Sequence, residues 1–151
     1  MRFVGSSILQ LYKMHVMSRQ EIQDARDSLS RCNKIPDFLD RFYELFIEQS
    51  PEIKKKFENT DFEVQKKVLS DSLFLMLAAA GTSSGYAHAE LEKLAKRHSR
   101  DQLDVKHEWY SIWLECLMKT VSEIDPEFSP EVDTAWRNSL QGGIDLLKAG
   151  Y

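Results

Sequence analysis

Apolar side chains recur every three or four positions along most of this chain, which is the spacing of one face of an α-helix. The clearest runs are Ile22, Ala25, Leu29 and Cys32; Leu39, Phe42, Tyr43 and Phe46; Leu69, Leu73 and Met76; Leu91, Leu94 and Ala95; Tyr110, Trp113, Leu114, Leu117 and Val121; and Trp136, Leu140, Ile144 and Leu147. No segment shows the apolar and polar alternation of a strand between turn signals. The pattern therefore predicts an all-α fold.

Capping signals divide the chain into about seven helices. Ser18-Arg-Gln-Glu21 is a capping box that predicts a first helix over residues 18–32, and Pro36 is expected to open a second that ends near residue 50. Ser50-Pro51 and Ser129-Pro130 predict the starts of a short third helix and of the last one. The glycine-bounded residues 81–85 are expected to end a helix that runs from about 61 to 80.

Length indicates a single domain with one core. A chain of 151 residues can bury enough apolar surface to enclose a small ligand or cofactor. We assign the domain to residues 18–151 and interpret residues 1–17 as an N-terminal extension, either an extra helix or a tail. Gln10, Lys13 and His15 interrupt the apolar character of this extension, which argues against a signal peptide or a membrane span.

Charge and cysteine usage argue against several classes of function. The net charge is −4 and the two signs are interspersed, so neither a nucleic-acid partner nor a membrane surface is expected. The basic run 54–56 is interpreted as a solvated helix face without a function. Cys32 and Cys116 match no metal-binding or redox spacing, which is typical of free thiols in a reducing cytoplasm.

Three polar side chains interrupt otherwise apolar helix faces, namely Tyr43, Gln65 and His98. Each has an ordinary structural explanation: a tyrosine whose hydroxyl reaches the surface, a glutamine at a helix edge, or a core histidine with a hydrogen-bonded ring. A buried imidazole needs a partner for each of its nitrogens. Together the three residues predict a pocket with polar groups aimed inward, and the periodicity alone leaves its ligand open.

The order of these residues resembles the globin family. Phe42-Tyr43-Glu44-Leu45-Phe46, Ser50-Pro51-Glu52, Phe57, Gln65 and Leu94-Ala95-Lys96-Arg97-His98 follow one another at spacings similar to those of bacterial single-domain haemoglobins and of the globin domain of flavohaemoglobins. The resemblance covers roughly residues 20–150. It implies a globin fold of about seven helices around a haem pocket.

On one side of the haem, the resemblance implies that His98 is the metal ligand, holding the iron of haem b. It further implies that the cofactor is contacted by Phe57, Leu94, Tyr110 and Arg97, with Arg97 near a propionate. In flavohaemoglobins a glutamate near the end of the last helix pairs with the tyrosine that Tyr110 resembles. This chain departs from that pattern, since the matching position falls near Tyr151, and peroxidase-like activation is therefore not expected.

On the other side, the resemblance places Tyr43 and Gln65 over the iron, with Leu69 as an apolar wall. A five-coordinate iron with an open sixth position is implied, together with dioxygen or another diatomic gas as its ligand. Three functions stay open: oxygen binding and carriage, nitric oxide dioxygenase activity with a separate reductase, and gas sensing through residues 1–16. A second copy of the chain, in a homodimer, is a further candidate partner.

Overall fold

The computed structural model describes residues 17–81 and 85–151, and within these ranges it contains seven α-helices and no strand. In chain order the helices are α1 (Arg19–Asn33), α2 (Phe38–Ile47), α3 (Pro51–Lys56), α4 (Phe62–Gly81), α5 (Gly85–His98), α6 (His107–Ile124) and α7 (Pro130–Ala149). The predicted all-α fold is confirmed. Nearly all of the predicted extension, residues 1–16, lies outside the described residues, as do residues 82–84 of the predicted glycine-bounded loop.

Three serine caps fix helix starts where the sequence predicts them. The side-chain oxygens of Ser18, Ser50 and Ser129 each accept a hydrogen bond from the backbone N–H three residues later, at 3.1, 3.1 and 3.2 Å. Pro51 and Pro130 occupy the first helical position, where no intrahelical N–H is needed. Helix α2 begins two residues after Pro36 and ends at Ile47, so it is shorter than predicted.

The last helix occupies the middle of the fold. Helix α7 packs against α1, α4, α5 and α6, while α2 packs mainly against α6. Trp136 is fully buried in α7, and its ring N–H donates to Ser28 Oγ of α1 at 2.8 Å. The two long helices α4 and α6 and the helix α5 then surround a space beside α7 that side chains do not fill completely.

A buried polar network joins α1 to the residue that follows α6. Asp125 is 4% exposed and accepts hydrogen bonds from Arg31 Nε at 2.6 Å, Arg31 Nη2 at 2.9 Å and Ser28 Oγ at 2.6 Å. Burial by itself raises the pKa of the Asp125 carboxyl, but the hydrogen bonds from Arg31 and Ser28 outweigh it and hold that pKa below its usual range. The carboxylate therefore stays charged and paired at neutral pH.

None of the described helices is long and apolar enough to cross a lipid bilayer.

Two adjacent glycines in α7 provide a test of the packing between α4 and α7. A Cβ added at the buried Gly143 would lie 2.6 Å from Met76 Cε and 3.0 Å from Met76 Cγ, whereas one at the exposed Gly142 would meet nothing within 4 Å. We expect Gly142→Ala to raise the free energy of unfolding by about 0.5–1 kcal/mol through helix propensity. Gly143→Ala is expected to lower it by up to about 1 kcal/mol, because Met76 Cε and Cγ must move away from the added methyl group.

Urea unfolding of the two variants and the parent protein measures both effects. Equal stabilisation by the two alanines would show that α4 and α7 do not approach as closely as the structure places them.

Candidate functional site

A cavity of about 230 Å³ is lined by residues of the helices from α2 to α7. Its walls are largely apolar, with aliphatic side chains from α4, α5 and α7 and the rings of Phe46, Trp109 and Trp113. Seven of the eight residues that the sequence predicts for the site line this cavity. They are Tyr43, Phe57, Gln65, Leu69, Leu94, His98 and Tyr110.

His98 presents a neutral imidazole to the cavity. Its Nδ1 lies 2.8 Å from the Leu94 carbonyl oxygen, one helical turn earlier, and because a carbonyl only accepts, Nδ1 carries the proton. Burial lowers the pKa of His98 below its usual value, with the Leu94 hydrogen bond acting in the opposite direction. The Nε2 lone pair has no hydrogen-bond partner among the described residues, so it is available as a metal ligand.

Tyr43 and Gln65 form a hydrogen-bonded pair on the wall of the same cavity. The Gln65 side-chain amide of α4 donates to the Tyr43 hydroxyl of α2 at 3.1 Å. Since the Tyr43 oxygen accepts this bond, its own O–H is free to donate to a ligand. Burial raises the pKa of Tyr43 to about 12, against the opposing effect of Gln65, so the hydroxyl keeps its proton at neutral pH.

Aromatic rings hold Tyr43 in place. Phe57, at the end of α3, has its ring centroid 5.7 Å from that of Tyr43 and 6.0 Å from that of Phe46. Phe62, at the start of α4, lies 5.4 Å from Tyr43 and stacks on Phe57 at 6.1 Å. The rings of Phe57 and Phe62 therefore pack against the ring of Tyr43 and hold it in position. The sequence analysis did not predict this role for Phe62, because Phe62 lies at the beginning of its helix.

Tyr110 lines the cavity with a hydroxyl that has no hydrogen-bond partner among the described residues. The residue is 6% exposed, and burial raises its pKa to about 12. The hydroxyl of Tyr151, the last residue of the given sequence, donates to Asp104 Oδ1 at 2.6 Å and not to a group in the cavity. An unsatisfied buried hydroxyl costs about 1–3 kcal/mol, which a hydrogen-bond acceptor on a bound ligand would offset.

The structure brings two features to the cavity that the sequence prediction missed. Lys56, the last residue of the basic run that was interpreted as a solvated face, lies at the cavity edge and donates to the Leu103 carbonyl oxygen at 2.8 Å. Leu103 and Val105, in the segment after α5, also line the cavity. Arg97, predicted to lie near a propionate, is exposed and does not line it.

The described residues hold no cluster of three or more histidine, cysteine, aspartate or glutamate side chains that could bind a metal ion. A metal held by the single imidazole of His98 therefore needs its other ligands from a cofactor, and a macrocycle supplies them. The apolar walls and the available Nε2 fit such a group.

Comparisons with known proteins agree with this architecture. A sequence model of the family described as Globin matches residues 40–144. The crystal structure of PA3967 from Pseudomonas aeruginosa PAO1, described as structurally highly homologous to a human haemoglobin, is similar with a TM-score of 0.82 and 33% sequence identity; the alignment covers 87% of this chain and 98% of that chain. A comparison with curated protein sequences found no match. The family model matches more than half of the chain, and the sequence is 33% identical to that of the crystal structure over 87% of its length. The chain therefore belongs to the globin family.

Proposed function

We propose that this globin binds haem b and uses it to bind dioxygen reversibly, as a carrier or store. One observation carries the proposal: the available Nε2 of His98 and the hydrogen-bonded pair of Tyr43 and Gln65 lie on the walls of one apolar cavity. His98 would hold the iron. Phe57, Leu94 and Tyr110 would contact the macrocycle, and Leu69 would form an apolar wall beside the gas.

The residues around the cavity fit a haem group in their chemistry. Apolar walls suit a porphyrin, and the unpaired hydroxyl of Tyr110 is typical of a site whose ligand carries hydrogen-bond acceptors. When bound, the cofactor supplies an iron atom that accepts a diatomic gas.

Tyr43 and Gln65 favour dioxygen over carbon monoxide. Dioxygen in a haem pocket takes on partial negative charge, and the Tyr43 hydroxyl can donate to it while accepting from the Gln65 amide. A charge-assisted hydrogen bond of this kind is worth about 1.5–3 kcal/mol. Carbon monoxide takes on less charge and gains less, so the pair slows the release of dioxygen selectively.

The partner of His98 favours binding over oxidative chemistry. Its Nδ1–H donates to the neutral Leu94 carbonyl, which increases the electron donation of the imidazole less than a carboxylate partner would. The residue near the position of the flavohaemoglobin glutamate, Tyr151, is bonded to Asp104. Reversible binding therefore ranks ahead of peroxidase-like activation.

Nitric oxide dioxygenase activity is a second candidate, because a tyrosine and glutamine pair that retains dioxygen also suits its reaction with nitric oxide. This function requires a separate reductase to supply electrons. Repeated nitrate formation once a reductase is added would support the dioxygenase, whereas a single turnover would support the carrier.

We place the protein in the cytoplasm, since Cys32 and Cys116 are both buried free thiols.

Tyr43→Phe tests the proposal because it removes the hydroxyl that donates to the gas and accepts from the Gln65 amide, and leaves the ring in place. We expect dioxygen to dissociate about tenfold to a hundredfold faster from the haem-loaded variant, with little change for carbon monoxide. Stopped-flow spectroscopy measures both rates. Tyr86→Phe, at a site on α5 that is 72% exposed and away from the cavity, is the matched control.

Haem uptake with identical dioxygen dissociation from the parent protein and Tyr43→Phe would refute the assigned role of the tyrosine. Failure of the parent protein to take up haem would refute the proposed function as a whole.

A further inference from the structure

The segment at residues 99–106 forms part of the cavity wall directly after His98. Its backbone folds back on the end of α5: Val105 N–H donates to the His98 carbonyl at 3.1 Å, and Leu103 N–H donates to the Arg97 carbonyl at 3.0 Å. The side chains of Leu103 and Val105 line the cavity. A movement of this segment away from α5 would therefore open the cavity on the side of His98.

Tyr151, which follows α7, holds this segment through Asp104. The Tyr151 hydroxyl donates to Asp104 Oδ1 at 2.6 Å, and Lys106 Nζ donates to Asp104 Oδ2 at 3.0 Å. The Tyr151 ring is fixed as well, with the Arg100 guanidinium 4.8 Å from its centroid and the His107 ring at 5.1 Å. One phenol thus joins the end of α7 to the middle of the segment.

The backbone of the segment needs such support. Asp104 has a φ of 51°, the only non-glycine residue with a positive φ among those that the structure describes. Aspartate and asparagine tolerate this left-handed conformation better than most residues, but it is sparsely populated. Lys56 of α3 also donates to the Leu103 carbonyl at 2.8 Å, so two neighbouring residues of the segment are held by two different helices or their ends.

We propose that Tyr151 is a positioning residue that, through Asp104, holds residues 99–106 against the cavity and sets how fast a bound haem group leaves. This inference rests on the proposed function, because the group that Tyr151 helps to retain is the haem group proposed above. Tyr151 does not itself line the cavity. Its effect passes through Asp104 to Leu103 and Val105.

The test is haem transfer from the ferric protein to an excess of apomyoglobin, followed by visible absorption. Tyr151→Phe is expected to accelerate transfer about tenfold, the factor that corresponds to about 1.4 kcal/mol for one hydrogen bond to a charged group. Asp104→Asn keeps an oxygen that accepts from Tyr151 and a residue that tolerates a positive φ, but it loses the charge and the bond from Lys106, so its transfer is expected to accelerate less than that of Tyr151→Phe. Tyr86→Phe, which removes an exposed hydroxyl elsewhere, is expected to match the parent protein.

Hydrogen exchange on the haem-free protein provides a readout that does not depend on the cofactor. Tyr151→Phe is expected to speed exchange within residues 99–106 while exchange in the helices stays the same and the melting temperature of the apoprotein falls by no more than about 2–6 °C. Unchanged exchange there, unchanged haem transfer, or faster exchange throughout the chain with a lower melting temperature would each overturn the positioning role. If the parent protein takes up no haem, the proposed function fails, and its apoprotein still shows whether Tyr151 holds the segment.

Discussion

Replacement of His98 by alanine is expected to remove the absorption spectrum of a histidine-ligated haem. The described residues offer no cluster of other metal-binding side chains, and the Nε2 atom of His98 is the available imidazole nitrogen on the cavity wall. His107 is exposed, and its Nε2 is already hydrogen-bonded to the Lys148 carbonyl at 3.0 Å. Titration of the purified apoprotein with ferric haem, followed at the Soret band, measures the loss.

A matched control and a chemical rescue make this prediction specific. His88→Ala alters an exposed histidine on the same helix that does not line the cavity, and it should leave the spectrum unchanged. Added imidazole can enter the space left in His98→Ala and is expected to restore the histidine-like spectrum. An unaltered Soret band in His98→Ala without added imidazole would contradict the assignment of His98 as the metal ligand.

The helical faces and their starts were predictable because both depend on neighbouring residues. A period of 3.6 residues places Ile22, Ala25 and Leu29 on one side of α1 whatever the rest of the chain does, and all three are buried. Serine caps act over three residues, as at Ser18 and Ser50. The same periodicity identified Tyr43, Gln65 and His98 as candidate site residues, because each of them interrupts an apolar helix face.

Arg97 and His98 show how adjacent residues of one helix differ in direction. Consecutive residues on an α-helix point about 100° apart, so the neighbour of a residue that lines a cavity usually faces elsewhere. Arg97 is exposed, while His98 lines the cavity. The lysine that does reach the cavity edge, Lys56, belongs to another helix and lies 47 residues from its partner Leu103.

The segment at residues 99–106 was not predictable for a related reason. It has no repeating pattern, and its shape depends on contacts with distant parts of the chain, such as the bond from Tyr151 to Asp104. Asp104 gave no clear signal of a left-handed residue, because aspartate is equally common in turns and caps with ordinary negative φ. The place of this segment in the cavity wall depends on how α7 packs beside α5.

The buried network around Asp125 was equally hidden, and it carries the second large prediction. Asp125 follows α6, where a carboxylate would ordinarily be solvated, and its partner Arg31 lies 94 residues away. Asp125→Ala would leave the Arg31 guanidinium without its principal partner and the Ser28 hydroxyl without an acceptor. We expect the free energy of unfolding to fall by about 1.5–3 kcal/mol, the value typical of hydrogen bonds to a charged group, since Arg31 is 21% exposed and keeps Glu127 3.4 Å from its Nε.

Urea unfolding of Asp125→Ala at several pH values tests both the size and the origin of this effect. Because the folded pKa of Asp125 lies below its unfolded value, the stabilisation is present above about pH 4 and disappears as the pH falls through the folded pKa. The stability difference between the parent protein and Asp125→Ala should therefore shrink on acidification.

Asp145→Ala, which removes an exposed carboxylate on α7, is the matched control and should change stability by less than about 0.5 kcal/mol at any of these pH values. Asp125 does not line the cavity, so Asp125→Ala should bind haem with an unaltered Soret band at temperatures where it stays folded. A small loss of stability that does not vary with pH would show that the contribution of this residue is packing and not the paired charge.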